Sequence, residues 1–280
     1  ERAHGVYFAM GGTGKIVEAL GKLLEHIGVK ISLNTTAEKI NIKNSKIYEV
    51  IDNFGNIKKA DFYVSNLDPL YLYNNLIDRK FKTSIFFKKK FSKISMGLFV
   101  LFFGTKIKYN NVKHHTIIFG KEYKDLLKKI FYGKTLPEDI SIYLHRPTAT
   151  DSTFAPNGCD SFYALVPVPN LKTGADINWA KEGHIFKKHV IKILSKQVLL
   201  NLEENIIEDF HMSPQDFEND YLSYKGSGFS IAPLFTQSAW FRFHNKSEII
   251  KNLYLVGAGT HPGAGIPGVL SSAKVIERMI

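Results

Sequence analysis

The feature that most constrains this chain is its tail. Leu253-Tyr-Leu-Val-Gly-Ala-Gly-Thr-His-Pro-Gly-Ala-Gly-Ile-Pro-Gly268 joins a short apolar run to a series of glycines, and only Val269 to Ile280 follow. The apolar run reads as a buried strand. The glycines behind it let the backbone approach other backbone, or a ligand, with no side chain between them. Pro267 suits the first turn of a closing helix, whose unpaired N–H groups carry partial positive charge. A flat group that becomes negative on reduction is stabilised at such a helix start. The plainer reading is a packed glycine turn between strand and helix, and spacing alone leaves both open. Gly263, Gly265 and Gly268 also satisfy G-x-G-x-x-G. A dinucleotide fingerprint, however, needs a second strand and an acidic residue about 20 positions on, and too little chain remains.

Upstream, Gly11-Gly12-Thr13-Gly14 opens a helical pattern carried by Ile16, Val17, Leu20, Leu23, Leu24 and Ile27. Thr13 is expected as its N-cap and Gly28 as the residue that ends it. Val29 to Leu33 reads as a short strand. Glu38 to Ile42, Ile47 to Ile51 and Ile57 to Val64, separated by turns at Asn44-Ser45 and 53–56, read as a β-meander. Pro69 suits a helix start. Strands are expected at Ser95 to Gly104, Thr116 to Phe119, Ile140 to His145, Ser161 to Val166 and Leu253 to Val256. A long amphipathic helix is expected over Trp179 to Leu200, and another closes the chain. Helices and strands mix without regular alternation, which points to an α/β (α+β mixed) fold with a large insertion.

Composition removes several function classes. The 280 residues carry a formal charge of +11, which invites a nucleic-acid reading. Nearly all the cations are Lys, with Arg only at 2, 79, 146, 242 and 278, and no nucleic-acid module accompanies them. Nucleic acid is therefore not expected as a partner. Cys159 stands alone, so neither an intrachain disulfide nor a cysteine-rich zinc site can form. The longest apolar run, Met96 to Phe103, is far short of a bilayer span. The start, Glu1-Arg2-Ala3-His4, shows no signal-peptide pattern. Gly226 to Ser230 lacks the G-x-S-x-G order of a nucleophile elbow. His114-His115 could suggest a metal, but neighbouring side chains on a strand point to opposite faces, so no metal is assigned.

The tail closely resembles the C-terminal signature of bacterial-type phytoene desaturases, carotenoid enzymes of the FAD-dependent amine-oxidase-like superfamily. The resemblance continues through Tyr143-Leu-His-Arg-Pro-Thr148, Leu165-Val-Pro-Val-Pro169, Gly226-Ser-Gly-Phe-Ser230 and Leu234-Phe-Thr-Gln-Ser-Ala-Trp-Phe-Arg242, and back to Gly11-Gly-Thr-Gly14 and Leu33-Asn34. It implies the remainder of an FAD-binding Rossmann-like domain, residues 1–66 and 236–280, around an inserted mixed-sheet substrate domain, residues 67–235. The family's N-terminal dinucleotide-binding unit, which grips the ADP half of FAD, has no counterpart before Gly11, so the chain reads as a C-terminal portion.

The resemblance also implies the site. Ala37 corresponds to a backbone contact with the adenine, and Ser65-Asn66 lie near the cofactor. Gly257, Ala258, Gly259, Thr260, His261 and the turn Gly265, Ile266, Pro267, Gly268 and Val269 would cradle the isoalloxazine. His261 is the one histidine nominated for a catalytic role, against the plainer reading of a turn histidine. The implied reaction is FAD-dependent desaturation of a C40 polyene. Dehydrosqualene desaturases, carotenoid isomerases and ketolases, or a non-catalytic membrane-associated remnant, are the alternatives. The Phe- and Lys-rich stretch from Phe81 to Lys93 has two readings, a half-buried element or a membrane-surface contact. With a lipid-dissolved substrate, the expected location is cytoplasmic, peripherally associated with the inner face of the cell membrane.

Overall fold

The computed structural model describes residues 5–78, 81, 92–238 and 241–280. Most of the Phe- and Lys-rich stretch lies outside the described residues.

The first helix, Thr13–His26, starts behind two glycines in left-handed conformation. Its N-cap is Gly12, so Thr13 is the first helical residue and not the expected cap. A Cβ on Gly12 would come within 2.8 Å of the Phe154 ring, which keeps any capping side chain out of that position. The C-terminus closes as expected on Gly28 (φ 82°). Its N–H donates to Glu25 O, and Val29 N–H donates to Leu24 O, the pairing of a Schellman motif. No residue of this helix is buried, and its apolar stripe, including Val17 and Leu23, lies open. Val29 to Leu33 forms no strand, because no strand among the described residues takes up its backbone hydrogen bonds.

The meander forms much as its turns dictate. β1 (Ala37–Lys43), β2 (Lys46–Asp52) and β3 (Ile57–Lys58) are antiparallel neighbours. Asn44 and Ser45 both take positive φ, which fits the twist of a two-residue hairpin. The expected strand from Ile57 to Val64 splits. β3 ends at Lys58, and β4 (Tyr63–Ser65) leaves the meander to pair in parallel with β10 (Leu253–Leu255). Asn252 holds this junction from a buried position. Its side-chain carbonyl accepts from Ile47 N–H (2.9 Å), and its side-chain NH2 donates to Ile47 O (2.9 Å) and Asp61 O (3.3 Å). Around it, Ile47, Leu70, Leu72, Tyr73, Ile77, Phe243, Ile250, Leu253 and Leu255 form one apolar cluster.

A second cluster belongs to a five-stranded antiparallel sheet, ordered β6 (His115–Ile118), β7 (Ile142–His145), β8 (Asp160–Val168), β5 (Gly97–Thr105), β9 (Ile206–Met212). β9 was not expected, since Glu208 and Asp209 interrupt its apolar pattern. The helix Trp179–Gln197 covers one face, burying Trp179, Phe186, Val190 and Leu194 against Phe99, Leu101, Ala164 and Val166. Under one edge of the sheet, Arg146 and Asp160 form a buried ion pair (2.9 Å). Asp160 also accepts from Tyr109 N–H and Thr148 Oγ1, and Arg146 donates to Val112 O, so the pair's desolvation is met by further hydrogen bonds.

The bonds at Asn252 give a first prediction. Asn252→Leu keeps the volume but strands the Ile47 N–H and C=O in the interior. It should lower unfolding free energy by about 1–3 kcal/mol, seen as a reduced denaturant midpoint at unchanged slope.

Candidate functional site

The β4–β10 pair sets where the site lies. Leu255 faces Ser65 in register, and Val256 N–H donates to Ser65 O (2.9 Å), so the strand end carrying Ser65-Asn66 and the glycine tail emerge side by side. The glycines then fall into two kinds. A Cβ on Gly257 (φ 100°) would sit 2.4 Å from Asn66 Oδ1. One on Gly259 would sit 2.3 Å from Pro69 Cδ, and one on Gly268 would meet Gly263 O at 2.8 Å. These three are required by the chain's own packing, which is the plainer of the two sequence readings. Gly265 differs: it has φ 96°, is exposed, and a Cβ there would meet nothing within 4 Å among the described residues. Its bare backbone faces open space.

Gly265 is also the N-cap of the closing helix, Ile266–Glu277, with Pro267 in the first turn as expected. The helical ladder begins with Val269 N–H to Gly265 O (2.8 Å). The amides of Ile266 and Gly268 therefore have no acceptor four residues back, and Pro267 has no N–H. The result is a helix start with partial positive charge beside an exposed glycine.

Two residues missed as contributors by sequence reasoning hold this tail in shape. Arg242, buried, donates from Nε to Thr260 O (3.0 Å) and from its terminal nitrogen to Ala258 O. Burial lowers its guanidinium below the usual value, with the Asp68 carboxylate acting against that shift. Asn245 donates from Nδ2 to Leu255 O (3.1 Å) and His261 O (2.9 Å). The signal available in sequence was Arg242 itself, one of few arginines in a lysine-rich chain. Thr260 is fully buried and donates its hydroxyl to Gly257 O (3.0 Å), an internal brace. His261 presents an exposed side chain, while its N–H donates to Phe243 O.

Ala37 is not brought to the tail. It lines a separate, largely apolar cleft of about 590 Å³ with Thr35, Thr36, Ile40, Ser65 and Asn66. Ser65-Asn66 therefore joins the two regions, since Asn66 both lines the cleft and backs Gly257.

The face of the five-stranded sheet opposite the covering helix carries a row of half-buried or exposed rings. Phe210 stacks on Phe102 (4.7 Å), Phe102 lies 5.8 Å from Tyr163, and Tyr163 lies 5.7 Å from Tyr143 and 4.7 Å from His145. Four inter-strand steps of about 4.8 Å give this face a width of about 19 Å. Histidines gather at its β6–β7 edge, where one sequence expectation fails. His114 and His115 do not diverge: a ring nitrogen of each, and one of His145, all lie within 4.8 Å of one another. β6 begins only at His115, so His114 sits in a bend where strand alternation does not apply. The ground for discounting a metal at this pair is thereby removed. Burial, reinforced by His114 and His115, pushes His145 down to about 4.

No family model matches the chain. A search of curated proteins finds the phytoene desaturase (lycopene-forming) of Pseudescherichia vulneris, 42% identical over 283 residues. It also finds the 4,4'-diapophytoene desaturase (4,4'-diaponeurosporene-forming) of Staphylococcus aureus, 33% identical over 288 residues. Each comparison covers 100% of this chain, and the chain spans 57% of the length of each relative. Among solved structures, putrescine oxidase bound to putrescine is similar over 96% of this chain and 54% of its own, with TM-score 0.60 and 11% identity. The chain shares the fold of that oxidase. Along its whole length the chain is similar to bacterial-type phytoene desaturases.

Two outcomes follow from this geometry. Arg242→Gln should leave the Thr260 and Ala258 carbonyls without their charged donor and destabilise by about 1–3 kcal/mol. The matching observation is faster amide exchange across 257–261 than in the five-stranded sheet. His145 resists protonation in the folded chain, whereas the unfolded chain protonates near 6.5. Stability from this group is therefore complete above about 6.5 and declines as pH falls toward about 4. A His145→Gln chain should show a smaller drop in melting temperature across that window.

Proposed function

We propose that the protein acts in an FAD-dependent phytoene desaturase, introducing conjugated double bonds into a C40 polyene. The observation that carries this reading is the 42% identity to a lycopene-forming enzyme over the whole chain, which includes both the glycine cradle and the aromatic sheet. The lower identity to a C30-type relative, 33%, favours the longer substrate.

The residues of the cradle fit a flavin. Gly265 leaves room where any side chain would project, and the Ile266 and Gly268 amides face a position where negative charge can be held. Ser65-Asn66, Gly257, Ala258, Gly259, Thr260 and His261 would form the wall behind it, shaped by Arg242 and Asn245. Ala37 and its cleft would take a more distant part of the cofactor. When bound, FAD would supply the acceptor for a hydride from one substrate carbon while the adjacent carbon loses a proton. The protein's own contribution is orientation and exclusion of water. The row Phe210, Phe102, Tyr163 and Tyr143 offers a continuous aromatic wall suited to a polyene. Burial pushes the Tyr163 phenol up, so it stays neutral beside such a chain.

The division into cofactor-side residues 1–66 and 236–280 and substrate-side residues 67–235 is part of this proposal. Two separate apolar clusters support it in part: Leu70 to Ile77, Ile94 and Ile231 of the substrate-side range pack in the cofactor-side cluster. A lipid-dissolved substrate also supports docking at the inner face of the cell membrane. No helix among the described residues is long and apolar enough to cross one.

The test uses FAD and phytoene in liposomes, with products resolved by chromatography. FAD-dependent long-wavelength polyene bands are expected from protein that carries the complete cofactor site. Absence of bands from protein that binds FAD stoichiometrically would overturn the assignment. Gly265→Ala, which puts a side chain into the open cradle at φ 96°, should weaken FAD binding at least tenfold in a fluorescence titration.

A further inference from the structure

We propose that His114, His115 and His145 form a binding site for a borderline divalent transition metal such as zinc. One nitrogen of each ring lies within 4.8 Å of one on each of the others, across the β6–β7 edge of the five-stranded sheet. His114 and His145 already present Nε2 to Nε2, 2.8 Å apart. A tetrahedral ion with bonds of about 2.0–2.1 Å needs ligand nitrogens about 3.3 Å apart, so the two rings must separate by only about half an ångström.

The groups behind two of the rings are arranged as a metal site requires. His114 Nδ1 is hydrogen-bonded to Thr150 Oγ1, and His115 Nδ1 to Tyr143 OH (2.7 Å). Each contact fixes a ring's orientation and leaves Nε2 as the available ligand atom, the pattern in which an outer hydroxyl or carbonyl orients a ligating histidine. His145 differs, with no hydroxyl behind it. Among the described residues its buried Nδ1 has no hydrogen-bond partner, so the ring is held by its Nε2 side and by packing on Tyr163. Phe8 closes over His114 at 4.7 Å between ring centroids. His115 is exposed, which gives an ion a path in and leaves a coordination position for water.

The donor set selects the metal. Three imidazoles without a carboxylate suit zinc, cobalt, nickel or copper, and offer little to magnesium or calcium, which require oxygen ligands. A bound ion would tie the start of β6 to the end of β7, beside the aromatic row and independently of the glycine cradle.

The test is direct metal binding by the full chain, freed of any affinity tag and treated with a chelator. Zinc is titrated calorimetrically, and cobalt is added separately to follow its visible ligand-field bands. One equivalent per chain is expected, with cobalt bands typical of a four-coordinate nitrogen site and no binding of magnesium. His114→Gln and His145→Gln should each weaken zinc at least tenfold, and Tyr143→Phe, which frees His115, by about tenfold. His26→Gln, in the exposed first helix, serves as the unchanged control. Absence of stoichiometric zinc binding by the unsubstituted chain overturns the proposal, as does undiminished affinity in both histidine variants. Because the cobalt spectrum is read on the unsubstituted chain, a variant that fails to fold does not affect that arm.

Discussion

The parallel pairing of Tyr63–Ser65 with Leu253–Leu255 is the contact on which the candidate site depends. It joins segments separated by most of the chain, and only through it does Asn66 come to lie against Gly257. The pair is short, so its stability comes from what surrounds it. Asn252 satisfies the Ile47 backbone in both directions and reaches Asp61, which locks the meander to the returning strand. Buried backbone groups that cannot reach water must pair internally, and here one amide side chain does so for two segments at once.

A similar economy governs the tail. Arg242 and Asn245 each donate to main-chain carbonyls within 255–261, so a run rich in glycine, which would otherwise retain large conformational freedom, is fixed from outside. The two readings of the glycines prove complementary. Gly257, Gly259 and Gly268 answer to close contact within the protein, whereas Gly265 opens outward at a helix start. Rigid glycines behind and an open one in front make a surface that is both firm and approachable.

The substrate-side sheet divides its labour by face. Phe99, Leu101, Ala164 and Val166 point to the covering helix and are buried. Phe102, Tyr143, Tyr163 and Phe210 point the other way and stay partly open. The strict alternation along β8 makes this inevitable once one face is covered. The Arg146–Asp160 pair, with its added hydrogen bonds, fixes the edge from which His145 projects.

Local chemistry made much of this legible in sequence. The helix over Thr13–His26, its glycine stop, the hairpin at Asn44-Ser45, the helix from Trp179 and the strand-glycine-helix tail all follow from periodicity and turn residues, which act within a few positions. What failed was whatever needed a distant partner. Val29 to Leu33 has strand character but no neighbour to pair with, and Ile57 to Val64 divides because its second half pairs with residues nearly two hundred positions away. Thr13 lost the cap to Gly12 because Phe154 occupies that space. β9 was hidden by charges that lie at a sheet edge. His114 and His115 were read by strand alternation, yet the bend before β6 and the approach of β7 bring them together with His145. The sequence by itself determined the elements and the glycine-rich tail, because propensity and turn chemistry are local. Only the tertiary structure decided which glycine stays open, which arginine braces the tail and which histidines meet, because those depend on contacts that no short window of sequence contains.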